Sequence, residues 1–134
     1  MYEVAKQIHF CYGHRLLGHK GKCAHLHGHN GVAEILCRRP RLDANRMVID
    51  FDRISESVKA WVMETLDHRM ILNAKDPLVP FLKKSGELFF SLKGDPTAEA
   101  IAELLFNRAK RSGLPVHGVR VWETPFSCAS YYGA

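Results

Sequence analysis

The residues best suited to chemistry are histidines crowded near the start of the chain. Six of the eight histidines fall between positions 9 and 29, and His27 and His29 flank a single glycine. Side chains two residues apart on a strand point to the same face, so these two imidazoles would project together. His14, at the end of the preceding strand, can add a third imidazole. Three imidazoles with an open fourth position are typical of catalytic zinc, so the sequence predicts a metal centre at His14, His27 and His29.

The choice of ion and ligands leaves alternatives open. Iron or nickel can use the same imidazoles, but zinc suits a site without a redox role. His25 shares the strand parity of the predicted ligands and is a rival, although it lies nearer the preceding loop. His9 and His19 are expected to be solvated or structural. Surface histidines on a polar loop are the alternative to metal binding.

Cys23 is a candidate general base. It precedes His27 by four residues and lies close to Lys20 and Lys22. Positive charge and a nearby metal both favour the thiolate form of a cysteine. A zinc ligand and a small buried hydrophobe are the alternative interpretations of this residue.

Carboxylates supply the remaining candidates. Asp67 and His68 are sequence neighbours after a predicted helix, where a carboxylate bonded to an imidazole would support proton transfer. Glu123 ends an apolar strand, and a partly buried carboxylate there needs a partner such as a ring edge with two N–H donors. A polar helix end and an exposed strand end are the alternatives without chemistry.

Four strands are predicted to position these residues. Loose alternation of apolar residues predicts a strand over 2–11, and β-propensity predicts a second over about 27–37. The last two strands are expected at 116–122 and 127–132. Residues 69–95 are expected to be irregular, with Phe89-Phe90 as the one candidate for a short strand.

Two helices are predicted between the strand pairs. Helical spacing of apolar residues begins behind Asp50, and Thr97 is the natural N-cap of a second helix that Gly113 closes. The order β-β-α-α-β-β predicts an α+β class, with helices on one face of an antiparallel four-stranded sheet. We expect one domain over residues 1–134, and the two open sheet edges favour a homo-oligomer.

Composition argues against several classes of protein. The chain has 134 residues, 46% hydrophobic and 25% charged, as in soluble globular domains. No apolar run approaches the roughly 20 residues that cross a bilayer, and no signal-peptide pattern is present, so we expect a cytoplasmic location without a membrane partner. The four scattered cysteines are expected to be free thiols. The net charge of +5 alone does not decide between nucleic acid and a small polyanionic substrate. Because the basic residues form no long run interleaved with aromatics, a nucleic-acid partner is the remaining alternative, favoured by the charge alone, and we expect none.

Seven short motifs occur in a fixed order over nearly the whole chain. They are Phe10-Cys11-Tyr12-Gly13-His14, Cys23 through His29, Val48-Ile49-Asp50-Phe51, Leu66-Asp67-His68, Leu72-Asn73, Pro96-Thr97-Ala98-Glu99 and Glu123-Thr124. Each motif alone is weak, but together they are specific. In this combination the sequence resembles the 6-pyruvoyl-tetrahydropterin synthase family.

The resemblance implies roles for individual residues. The implied zinc ligands are His14, His27 and His29. The implied catalytic groups are Cys23, Asp67 and His68. The implied pterin pocket contains Glu123 as the anchor, with Thr97 and Glu99. Lys20, Lys22 and Arg15 are candidate contacts for a triphosphate.

The resemblance also implies an assembly and a reaction. The fold would be the tunnelling fold, in which trimers form a barrel, two trimers stack as a hexamer, and active sites lie between subunits. The Cys-x-x-x-His-Gly-His spacing resembles bacterial 6-carboxytetrahydropterin synthases of the queuosine pathway. These enzymes convert 7,8-dihydroneopterin triphosphate to 6-carboxytetrahydropterin, acetaldehyde and triphosphate. A 6-pyruvoyl-tetrahydropterin synthase, a related side-chain lyase and a non-catalytic zinc- and pterin-binding oligomer are the alternatives.

The chain departs from the family pattern at three places. Tyr12-Gly13 stands where the family usually has Ala-Ala, and Ala100 stands where it usually has Asn. The segment from Met70 to Asp95 is longer than in the shorter bacterial members. These departures concern substrate preference and the pocket mouth more than zinc binding.

Overall fold

The computed structural model describes residues 1–133, which form six β-strands and four α-helices. The strands are β1 (Tyr2–His14), β2 (His27–Arg39), β3 (Arg69–Asn73), β4 (Phe89–Leu92), β5 (Val116–Thr124) and β6 (Ser127–Tyr132). The helices are α1 (Phe51–Ile54), α2 (Ala60–Thr65), α3 (Leu78–Ser85) and α4 (Ala98–Arg111). A π-helical turn, Ser55–Lys59, joins α1 to α2, and a 3-10 turn, Lys22–Ala24, precedes β2.

The strands form one sheet in the order β4-β3-β1-β2-β5-β6. The four predicted strands β1, β2, β5 and β6 are neighbours and pair antiparallel. The predicted α+β frame is therefore confirmed. The sheet is larger than expected, because β3 and β4 extend it in parallel beyond β1.

Residues 69–95 were predicted to be irregular, and that prediction is wrong apart from the short strand at Phe89-Phe90. The segment holds β3, α3 and β4. Pro80 lies within this segment as the third residue of α3, where a missing N–H costs no helical hydrogen bond. Gly86 ends α3 with φ +74°, a left-handed conformation that glycine adopts without strain.

The core lies between one face of the sheet and the helices. Ile8, Phe10 and Tyr12 alternate along β1 and are almost completely buried, and they belong to one cluster with Val58 and Ile101 from the helical segments. Burying one such side chain contributes about 1.5–3 kcal/mol. Because strand side chains alternate, the odd-numbered residues of β1 face the opposite side of the sheet.

The start of α4 agrees with the prediction. The Thr97 hydroxyl accepts a hydrogen bond of 3.1 Å from the N–H of Ala100 and so caps the helix. Gly113, with φ +80°, follows the last turn as expected. No helix within residues 1–133 combines the length and apolar character that a bilayer-spanning segment requires.

Candidate active site

Strands β1 and β2 bring the three predicted metal ligands together. His14 pairs with His27 across the ladder, and Tyr12 pairs with His29. Directly paired residues project to the same face, so the three imidazoles converge. Their ring centroids lie 4.5–5.1 Å apart, and one nitrogen from each ring lies within 4.8 Å of the others. These three histidines form a cluster able to hold a metal ion.

Hydrogen bonds determine which nitrogen two of these rings offer. His14 Nδ1 lies 2.8 Å from the carbonyl oxygen of Pro96, and His27 Nδ1 lies 2.7 Å from that of His25. A carbonyl only accepts, so both Nδ1 atoms carry a proton and both Nε2 lone pairs are free. Such bonds commonly orient metal-ligating histidines. The Nε2 atoms of His14 and His29 lie 3.1 Å apart, which fits two ligands of one cation.

Burial also prepares His14 for metal binding. The residue is 1% exposed, and this burial lowers the pKa of His14 below its ordinary value, against the opposing effect of its bond to Pro96. Metal ligation requires the neutral imidazole. The environment of His14 therefore favours the form that binds a metal.

Glu123 points its carboxylate at the imidazole cluster. Its Oε2 atom lies 3.3 Å from His14 Nε2 and 3.1 Å from His29 Nε2. The pairing of β5 with β6 shifts register between Trp122 and Thr124, and irregularities of this kind redirect side chains near functional sites. The Glu123 side chain is 28% exposed and so remains accessible from solvent.

The side chains of Asp67 and His68 are in hydrogen-bonding contact, which the sequence alone could not establish. His68 Nδ1 lies 2.7 Å from Asp67 Oδ2, and the backbone N–H of Cys11 donates to Asp67 Oδ1 at 2.9 Å. Although burial raises the pKa of Asp67, the hydrogen bonds from Cys11 and His68 hold it below its ordinary value. His68 has φ +59° and a side chain that is 79% exposed. An ionised Asp67 thus orients an accessible imidazole.

Cys23 and the Asp67–His68 pair are not grouped within one chain. Cys23 is half-buried in the 3-10 turn, where its carbonyl accepts a 2.8 Å bond from the Leu16 N–H. Within the described residues, the thiol that lies with Asp67 and His68 belongs to Cys11. Sequence reasoning missed Cys11, because only the pairing of β1 with β3 places it beside that pair.

Thr97 is the residue before α4, and Glu99 lies in the first turn of this helix. The Thr97 hydroxyl is used for capping, and the preceding Pro96 contacts His14 through its carbonyl. Glu99 is exposed, at a helix start where the dipole favours a carboxylate. Thr97 therefore follows a residue that contacts the imidazole cluster, and pocket roles for Thr97 and Glu99 stay predictions.

Arg15 forms an ion pair with Asp76, a partner that the sequence did not predict. Its Nε donates to Asp76 Oδ2 at 2.8 Å, and its Nη2 bonds to the other oxygen of the same carboxylate. Asp76 is 2% exposed. This bidentate pair fixes the loop after β1 to the segment between β3 and α3. Lys20 and Lys22 are exposed and remain the candidate triphosphate contacts.

The remaining histidines between positions 9 and 29 lie outside the group of three imidazoles. His25 offers its carbonyl to His27 and lies outside the group of three imidazoles. His9 and His19 are both exposed, and His19 accepts a 2.8 Å hydrogen bond from the Gly21 N–H. The rival ligand set with His25 is therefore not assembled in the described residues.

Comparisons with known proteins agree over the length of the chain. A family model described as 6-pyruvoyl tetrahydropterin synthase matches residues 3–134. A 6-carboxy-5,6,7,8-tetrahydropterin synthase from Rickettsia bellii is 36% identical over 132 residues, covering 93% of this chain and 96% of the relative. A protein of the same name from Haemophilus influenzae is 32% identical over 139 residues, covering 98% and 99%.

Solved structures give the same result for the fold. An uncharacterized protein from Wolinella succinogenes is 31% identical with a TM-score of 0.82, covering 99% of this chain and 98% of that one. The 6-pyruvoyl tetrahydropterin synthase of Caenorhabditis elegans is 25% identical with a TM-score of 0.73, covering 99% and 96%. The chain belongs to the 6-pyruvoyl tetrahydropterin synthase family.

Proposed function

We propose that the protein is a zinc-dependent 6-carboxy-5,6,7,8-tetrahydropterin synthase of cytoplasmic queuosine biosynthesis. It would convert 7,8-dihydroneopterin triphosphate and one water molecule to 6-carboxytetrahydropterin, acetaldehyde and triphosphate. The observation that carries the proposal is the convergence of His14, His27 and His29, with two Nε2 atoms 3.1 Å apart. Relatives from R. bellii and H. influenzae that bear this enzyme's name support the choice of reaction.

The three imidazoles would hold zinc, and the pocket beside them would hold the pterin. Zinc in this position would bind side-chain hydroxyls of the substrate and lower their pKa. Glu123, whose carboxylate is partly exposed beside the imidazoles, accepts paired hydrogen bonds from the pterin ring edge. Thr97 and Glu99 line the same pocket, and Lys20 and Lys22 contact the triphosphate.

Proton transfer is the task of Cys23, Asp67 and His68 in this proposal. The Cys23 thiolate acts as the base, and His68 exchanges protons as its partner. Asp67, 2.7 Å from His68 Nδ1, fixes the tautomer and leaves Nε2 free for transfer. Because one chain does not group Cys23 with this pair, we propose that each active site combines residues of two subunits in a trimer or hexamer. The free edge at β6 supports assembly by sheet extension.

A second candidate is formation of 6-pyruvoyl-tetrahydropterin. The similarity to the C. elegans synthase of that name favours it, at a lower identity than that of the bacterial relatives. A zinc- and pterin-binding oligomer without activity is the non-enzymatic candidate. It does not account for the bonded Asp67–His68 pair.

Product identification tests the proposal. Zinc-loaded protein is incubated with 7,8-dihydroneopterin triphosphate, and the products are identified by mass, with Cys23→Ala as the catalytic variant and the exposed Cys128→Ala as its matched control. We expect 6-carboxytetrahydropterin and acetaldehyde from the parent protein and the control but not from Cys23→Ala. A pyruvoyl product would favour the second candidate. Zinc binding without turnover would contradict both enzymatic proposals.

A further inference from the structure

The carboxylate of Glu123 stands where a fourth metal ligand would stand. Three distances define this position: 3.1 Å between the Nε2 atoms of His14 and His29, and 3.3 Å and 3.1 Å from these atoms to Glu123 Oε2. The edge of a tetrahedron is about 1.6 times its centre-to-corner length, so zinc bonds of about 2.0–2.1 Å imply ligand separations of about 3.3 Å. These three atoms have the spacing of one triangular face of such a site, and the His27 nitrogen lies within 4.8 Å of the other two imidazoles.

The charge of Glu123 provides a second argument. The side chain is 28% exposed, so water reaches part of it while its carboxylate faces the imidazoles. Among residues 1–133, the basic side chains with a nitrogen within 4.0 Å of its carboxylate are the imidazoles of His14 and His29, with no lysine or arginine. Both imidazoles are candidate metal ligands, and ligation requires their neutral form. A cation bound by the three imidazoles would place beside this carboxylate a positive charge that neutral imidazoles do not supply.

We propose that Glu123 is the fourth protein ligand of the resting metal site and closes it to exogenous ligands. This inference rests on the proposed function, because it assigns the same carboxylate a second partner. Glu123 lies on the metal before substrate binds and moves to the pterin ring edge when substrate arrives. The fourth position opens to the substrate hydroxyls only when a ring able to bind Glu123 is present.

The position of Glu123 in the fold suits such a movement. It follows Val121, which is fully buried in the core, and it lies at the register shift that precedes the exposed turn between β5 and β6. The strand before it is thus anchored, whereas its own backbone is freed from regular pairing. The Glu123 side chain can therefore change its direction without breaking a regular strand pair.

Cobalt substitution tests the proposal without requiring turnover. Co²⁺ is loaded in place of zinc, because its visible absorption reports the number and type of its ligands, and thiocyanate is added as an exogenous ligand. We expect the parent spectrum to be insensitive to thiocyanate, whereas Glu123→Gln binds the anion and changes its spectrum. Glu34→Gln is the matched control, because Glu34 bonds to Trp122 Nε1 at 2.6 Å on the opposite face of the sheet, and it is expected to behave like the parent.

A second variant separates ligation from charge. Glu123→Asp keeps the negative charge but withdraws the carboxylate by one methylene, so it is expected to admit thiocyanate as Glu123→Gln does. If Glu123→Gln does not retain cobalt, Glu123→Asp still provides the comparison with the parent protein. Equal thiocyanate sensitivity of the parent and Glu123→Asp would overturn the proposal.

The two proposals fail in different ways. If the parent protein does not bind thiocyanate and forms no pterin product, the synthase proposal is contradicted and the assignment of Glu123 as a metal ligand is supported. If the protein forms the product but its resting cobalt site binds thiocyanate, the synthase proposal is supported and the assignment of Glu123 as a fourth ligand is contradicted.

Discussion

The Nδ1 atom of His14 donates a 2.8 Å hydrogen bond to the carbonyl oxygen of Pro96. The two residues are 82 positions apart in the sequence, and the bond connects the end of β1 to the residues that lead into α4. Because the bond fixes the Nδ1 proton, His14 presents Nε2 to the other two imidazoles. A candidate metal ligand is thus oriented by the backbone at the start of a helix, which keeps the site preorganised.

Removal of His27 is expected to abolish tight zinc binding. His27→Ala leaves two imidazoles, and because even loss of an orienting partner weakens a metal site about 10- to 100-fold, loss of a ligand should cost at least that much. His25→Ala is the matched control, since His25 contributes only its carbonyl. Zinc affinity is measured by competition with a chromophoric chelator. Equal affinities of the two variants would contradict the assignment of His27.

The Asp67–His68 pair is expected to act in proton transfer without holding the metal. His68→Asn keeps a residue type that tolerates the positive φ of this position but removes the imidazole. We expect loss of turnover with unchanged zinc content and unchanged thermal stability. Loss of zinc from His68→Asn would instead make His68 a ligand.

Mixing two inactive variants tests whether active sites are shared between subunits. If Cys23 and His68 of one site come from different chains, random reassembly of Cys23→Ala with His68→Asn restores about a quarter of the sites. Turnover is measured after the separate proteins are denatured and refolded together. No recovery, with mixed oligomers demonstrated by mass, would place both residues of a site in one chain.

The sequence was informative where function depends on residue type and short spacing. The pairing of His27 with His29 follows from strand parity, and the Thr97 cap follows from capping chemistry, because both depend on local geometry. Parity did not exclude His25, and the position of His14 beside His27 depends on the pairing of β1 with β2. The contact between Asp67 and His68 occurs with a left-handed backbone at His68, which no local pattern of the sequence predicted. The partnership of Cys11 with that pair required the pairing of β1 with β3, which no local pattern encodes.

Asp76 is expected to stabilise the fold above its titration range. The hydrogen bond from Arg15 holds the pKa of Asp76 below its ordinary value, despite the opposing effect of burial. The stabilisation is therefore present above the unfolded pKa of about 3.9 and is lost as the pH falls through the lower folded value. Asp76→Asn should cost about 2–4 kcal/mol at pH 7, and this difference should shrink under acid conditions.

Urea unfolding between pH 7 and the acid range measures this effect. Glu103→Gln is the control, because Glu103 is exposed on α4 and its replacement should leave the free energy of unfolding unchanged. A difference between parent and Asp76→Asn that does not change with pH would show that the ion pair is not its source.

The ion pair of Asp76 also shows where sequence reasoning ended. Asp76-Pro77 and Pro80 have the composition of a loop, and β3 has only five residues. A short apolar run does not distinguish a strand from irregular chain. Burial of Asp76 depends on Arg15, a residue 61 positions away, so the order of this segment comes from tertiary contacts.

Tyr12 is expected to tolerate loss of its hydroxyl. Its side chain lies in the core beside His14 and His29, and its oxygen is buried without a hydrogen-bond partner among the described residues. Burial and the nearby Glu123 raise the pKa of Tyr12, so the phenol stays neutral. Tyr12→Phe should be neutral or stabilising by about 1 kcal/mol, measured by urea unfolding with the exposed Tyr2→Phe as control. A clear loss of stability would show that the hydroxyl has a partner.

We propose that metal bound by His14, His27 and His29 enables synthesis of 6-carboxytetrahydropterin. The most direct measurement adds zinc stepwise to metal-free protein in the presence of 7,8-dihydroneopterin triphosphate and follows the products by mass. We expect no product without metal, and a rise in 6-carboxytetrahydropterin that ends at one zinc per chain. Full activity of the metal-free protein, or zinc binding at that stoichiometry without product, would contradict it.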